Sequence, residues 1–148
     1  MEDTEVKNAI FGAGRNAALR YEISANIELI GLTLELIDQV YIQSPEKRQP
    51  IALIPFHTDA WSSLIASGLL YALGSEVRQK LIEAYGLIHE INSLVTWLYH
   101  SNFLDERHII VHTPAYPSSF KHGTYIPAVI RDKLPKLLSK LKEVESQL

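Results

Sequence analysis

SEVRQKLIEAYGLIHEINSLVTWLYH, residues 75–100, reads as one long helix. Val77, Leu81, Ala84, Ile88, Ile91, Val95 and Leu98 recur at spacings of 4, 3, 4, 3, 4 and 3. That alternation keeps all seven on one stripe, because 3.6 residues complete a helical turn. A seam of roughly six turns can pack along the full length of a neighbouring helix, so this stretch predicts a bundle.

The neighbouring segments supply the partners. Toward the C-terminus, Ile126, Ile130, Leu134, Leu137, Leu141 and Val144 share one face of a helix over about 125–146. Pro127 is tolerated in its first turn, whereas Pro135 should kink it or mark a restart. Toward the N-terminus, Trp61, Leu64, Ile65 and Leu69 define a helix over about 59–73, capped by Thr58 or Asp59 and ended by Gly74. Ser75 is then positioned to cap the long helix that follows. Ile23, Ile27, Ile30, Leu34, Ile37 and Tyr41 form another seam, in a helix over about 5–43 that must stop before Ser44-Pro45. Leu29, Leu32, Leu36 and Val40 widen that stripe. Gly12 and Gly14 weaken its first turns by about 1 kcal/mol each relative to Ala. The expected fold class is therefore all-α: an antiparallel bundle of four principal helices in a single domain, 1–148, with a short helix near 104–112.

A chain of 148 residues suits one core. No stretch reaches the roughly 18 consecutive apolar residues of a membrane span, so no direct span is expected. Met1, Glu2, Asp3, Thr4 and Glu5 are the wrong chemistry for a secretory or mitochondrial signal, which makes the cytoplasm the expected compartment. With no cysteine, disulfides, thiolate catalysis and cysteine-based zinc sites are excluded. The net charge of −3 is unevenly spread. Residues 1–106 hold 7 Lys and Arg against 14 Asp and Glu, and residues 107–148 hold 7 against 3. A basic segment on an acidic body can form a footprint for nucleic acid, or it can be the solvated face of a Lys-rich last helix.

The candidate active pair is in RHIIVH, Arg107 to His112. Arginine offers a forked, permanently charged donor set that suits a phosphate. Histidine exchanges a proton near neutral pH. Together they are the minimum parts for cleaving RNA, where the 2′-hydroxyl is the nucleophile and no metal or cofactor is required. On a continuous helix the five-position step is about 500° of turn, leaving the two side chains about 140° apart. Convergence on one groove would therefore need a turn that starts or ends between them, or a contribution from two subunits.

An arginine, a polar residue (His108) and a histidine a few positions on resembles the motif of HEPN domains. The following VIRDKLPKLLSKL is similar to the helix that closes HEPN toxin proteins. The resemblance implies a homodimer with facing Arg–His pairs and metal-independent endoribonuclease activity in a toxin or defence system. Arg107 and His112 would then be the catalytic pair, with His108 the polar position beside the arginine. The class rival is a non-catalytic helical module that scaffolds protein partners or self-associates. A second resemblance covers residues 22–94. Glu22 with Asn26, then TDAWSSLIASGLL and LIEAYGLIHEINSL, is similar to an uncharacterised helical family of bacteria and archaea. It rests mainly on Trp61, Gly68, Tyr85 and Asn92, and implies no chemistry.

Weaker patterns complete the reading. His100, His108, His112 and His122 with Asp105 and Glu106 contain enough ligands for zinc, but lack an HExxH pattern, so no metal is expected. His57 and Asp59 flank a helix start as connector and cap. Gly12-Ala13-Gly14 lacks the strand and lysine of a phosphate loop. Asn26 and Asn92, near apolar seams, read as a buried pair that fixes helix register.

Overall fold

The computed structural model describes residues 2–43, 53–101 and 126–148. These form four α-helices: α1 (Glu2–Gln43), α2 (Asp59–Ala66), α3 (Ser75–Ser101) and α4 (Ile126–Glu145). A 3-10 turn, Leu69–Ala72, lies between α2 and α3. The described fold is the all-α bundle that the periodicity predicts. The short helix near 104–112 lies outside the described residues.

Three seams converge on one core. Leu81, Ala84, Ile88, Ile91, Val95 and Leu98 of α3 are buried, as are Ile126, Ile130, Leu134, Leu137, Leu141 and Val144 of α4. Ile23, Ile30 and Ile37 of α1 are fully enclosed, with Ile27 and Leu34 packed partly against them. The expected widening of the α1 stripe holds at Leu29 but not at Leu32 or Leu36, which are exposed. Leu32 is nine positions beyond Ile23, about half a turn away around the axis, so it faces away from the core.

Cross-helix pairs set the directions. Arg20 reaches the Leu148 carbonyl, Ser24 donates to Glu145 and Arg131 pairs with Asp38. Residue numbers therefore rise along α1 as they fall along α4. The same reversal relates α3 to α4, through Lys80–Glu143, Glu83–Lys140 and Glu90–Lys133, each 2.9 Å. α4 is thus antiparallel to both α1 and α3, which run in the same sense as each other. Glu83 and Glu90 are seven residues apart, as are Lys133 and Lys140, so the ladder follows the repeat of an antiparallel helix pair. At Lys80–Glu143 the signs are reversed, and sliding α4 by one heptad would set Lys80 against Lys136. The charge order therefore favours one register.

Two expectations on helix ends are corrected. The segment 59–73 is not one helix, because Gly68 adopts φ 75° and breaks it into α2 and the 3-10 turn. That left-handed backbone is open to glycine and strained for a residue with a Cβ. Ser75 is the first helical residue rather than the cap; the carbonyl of Gly74 accepts the first bond, from Arg78 N–H at 2.9 Å. Pro135 does not restart α4, which runs unbroken from Ile126 to Glu145. Pro135 and Arg131 are both exposed, so the Arg131 carbonyl that lacks a helical donor lies on the solvent side.

Reversing one charge, by Glu90→Lys or Lys133→Glu, should lower stability by about 1 kcal/mol, the scale expected of a partly exposed pair. The double exchange should recover most of that loss in denaturant unfolding. Equal losses that simply add would mean the pair does not interact.

Candidate functional site

Residues 53–57, LIPFH, cross between α1 and α3 as a strap outside helix and sheet, and Thr58 leads it into α2. A segment without a regular ladder must find other partners for its backbone groups. Here they are side chains. Asn92 of α3 accepts from Phe56 N–H through Oδ1 at 2.8 Å and donates through Nδ2 to the Phe56 carbonyl at 3.0 Å. Asn26 of α1 does the same one residue on, accepting from His57 N–H and donating to the His57 carbonyl, both at 2.9 Å. Each amide thus serves as a short piece of sheet ladder. Asn26 and Asn92 are not paired with each other, as their setting in the seams suggested. They clamp consecutive residues of the same strap from opposite sides.

Glu22 continues this arrangement four residues before Asn26, on the same flank of α1. Its carboxylate accepts from Ala60 N–H at 2.9 Å and Trp61 N–H at 3.1 Å. Those are two of the free amides at the start of α2, so the cap of α2 comes from another helix. Of the two expected caps, Thr58 makes no side-chain cap bond and Asp59 is the first residue of the helix. Glu22 Oε2 also accepts from the Tyr85 hydroxyl at 2.6 Å. The Tyr85 ring stacks on Trp61 with centroids 4.6 Å apart and planes 6° from parallel. Burial, followed by the hydrogen bond to Glu22, pushes the Tyr85 phenol well above its ordinary value of 10.0.

Five residues that carry the second resemblance therefore meet in one place: Glu22, Asn26, Trp61, Tyr85 and Asn92. The sixth, Gly68, ends the helix that Glu22 caps. What the sequence reading missed is that these side chains act on backbone. The available signal was the four-residue spacing of Glu22 and Asn26 on an otherwise apolar flank. Chemically, both oxygens of Glu22 are already engaged by three donors, so the cluster holds the strap and α2 in position.

Arg107, His108 and His112, the sequence-predicted catalytic residues, lie outside the described residues, as do Asp105, Glu106 and His122. Among the described residues no group of three His, Asp or Glu is placed to hold a metal ion. No described helix is long and apolar enough to cross a membrane. Part of the basic C-terminal charge is engaged within the bundle. Of the five Lys and Arg in α4, Arg131, Lys133 and Lys140 are paired with acids of α1 and α3. The hydrogen bond from Arg131 holds the Asp38 carboxyl below its ordinary value, and Lys140 does the same for Glu83.

No family model matches the chain, and neither curated proteins nor solved structures provide a match.

Glu22→Ala would leave two backbone amides and a buried phenol without an acceptor, and should cost about 3–5 kcal/mol. Tyr85→Phe, which removes one donor and leaves the two amides in place, should cost about 1–2 kcal/mol. Both are read by denaturant unfolding followed through Trp fluorescence. The raised Tyr85 value also gives a pH dependence. Below pH 10 both folded and unfolded chains keep the phenol proton, and its contribution is fully present. Above pH 10 only the folded chain keeps it, so stability should fall by about 1.4 kcal/mol per pH unit from this group. Tyr85→Phe should remove that component of the alkaline slope; an unchanged slope would contradict the assignment.

Proposed function

We propose that this chain is a helical interaction module, whose surface engages another protein or a second copy of itself. The supporting observation is the use of charge in α4. Three of its five cations are engaged with acids of α1 and α3, so much of the positive charge of α4 serves helix pairing. The outward faces of the same bundle carry Tyr21, Leu32 and Leu36 on α1 and Ile82 and Trp97 on α3. Such residues suit contact with an apolar protein surface.

The second reading is the HEPN-like one, favoured by Arg107, His108 and His112 ahead of an amphipathic α4. It makes the chain a metal-independent endoribonuclease, with Arg107 holding a phosphate and His112 moving the proton. It also favours a homodimer. The two readings differ in what they predict for RNA.

The interaction-module reading expects wild type and His112→Ala to leave RNA equally intact without divalent metal. Cleavage by wild type that His112→Ala abolishes would transfer the assignment to the nuclease reading. In sedimentation, the module reading expects concentration-dependent association that Leu32→Glu weakens. Wild type that remains monomeric without a partner would restrict the module to heterologous binding.

A further inference from the structure

One nine-residue pattern occurs in both α1 and α3. Glu28-Leu29-Ile30-Gly31-Leu32-Thr33-Leu34-Glu35-Leu36 parallels Glu83-Ala84-Tyr85-Gly86-Leu87-Ile88-His89-Glu90-Ile91. Both glutamates, the glycine and the central leucine are the same, and the second, third and last positions are apolar in each. On a helix this sets two acids, seven residues apart, along one edge of an apolar row. The row is Leu29, Leu32 and Leu36 in α1, and Ala84, Leu87 and Ile91 in α3.

In α3 the row is covered. Ala84 and Ile91 are buried, Leu87 packs partly against the core, and Glu83 and Glu90 hold Lys140 and Lys133 of α4 at 2.9 Å. In α1 only Leu29 is enclosed. Leu32 is 58% exposed and Leu36 38%. Neither Glu28 nor Glu35 forms a salt bridge among the described residues. α1 thus presents the kind of face with which α3 receives α4, and among the described residues no helix lies on it.

Charge specifies what fits there. Residues 21–43 contain no Lys or Arg, while Glu22 is engaged at the start of α2 and Asp38 with Arg131. The complement of an acidic edge beside an apolar row is an amphipathic helix edged with cations. Among the described helices α4 has that character, but its Lys133 and Lys140 are already engaged within the bundle. The geometry points to a docking face on α1, centred on Leu32, for an amphipathic helix of another protein that carries Lys or Arg seven residues apart. Its apolar side covers Leu32 and Leu36, and its cations meet Glu28 and Glu35. This inference rests on the interaction-module reading and specifies the partner's chemistry.

The probe is a fluorescent, terminally blocked peptide of α4, residues 126–145, whose Lys133 and Lys140 have the required spacing. Titrated into the full chain it should bind, and Glu28→Lys with Glu35→Lys should weaken that binding at least about tenfold. A peptide carrying Lys133→Glu and Lys140→Glu should bind the charge-reversed chain to within about threefold of the original pair. No binding at about 100 μM would overturn the inference. So would binding that charge reversal on α1 leaves unchanged, since the peptide would then occupy another surface. Should the chain self-associate through Leu32, saturating peptide should dissociate it. Association that persists would give the face to a second copy and overturn the inference as well. The two readings fail separately: RNA cleavage dependent on His112 would overturn the module reading and leave the peptide titration unaltered.

Discussion

Four backbone amides set the main constraint on this fold. Phe56, His57, Ala60 and Trp61 lie where the chain crosses between helices and starts a new one, so no regular ladder serves them. Each finds its acceptor on a side chain: Asn92, Asn26, and Glu22 for the last two. A buried amide left without a partner costs about 1–3 kcal/mol, so four such losses would rival the stability of a whole domain. The acceptors come from α1 and α3, and their spacing requires both helices to stand at fixed positions beside the strap. The direction of α1 relative to α3, the start of α2 and the Trp61–Tyr85 stack all follow from that requirement.

α4 closes the other side by different means. Its apolar face enters the core between the two parallel helices, and its charges bind outward to both. The paired cations are largely exposed or half-buried, so their contribution to stability is small individually. Their effect is on register and direction, where a wrong alignment would oppose like charges. The same pairing joins acids of α1 and α3 to three of the five cations of α4.

The parts legible in the sequence were those that repeat. Ile88 and Leu137 belong to stripes whose 3.6-residue period is visible without any knowledge of partners, and both are fully buried. Leu32 was misjudged because an apolar residue near a stripe looks like part of it until its angle is counted. The break at Gly68 competed with a second plausible stop at Gly74, and local sequence does not rank them. The clamps were illegible for a deeper reason. A side chain that binds a backbone group 31 to 39 residues away leaves no periodic trace in the chain. Asn26 and Asn92 stand out as polar residues near apolar seams and Glu22 only as part of a resemblance, which is as far as one sequence carries them. The Arg107–His112 pair is legible only as a motif, and it lies outside the described residues.

The central claim is that α1 and α3 hold one strap as a single unit. A double-mutant cycle on Asn26→Ala and Asn92→Ala tests it most directly, with stability measured by denaturant unfolding. Once one clamp is gone and the strap is loosened, the other clamp has less to hold. The account therefore predicts that the double variant loses less than the two single losses added, by about 1 kcal/mol or more. Losses that add to within about 0.5 kcal/mol would show that the two clamps act independently, and would contradict it.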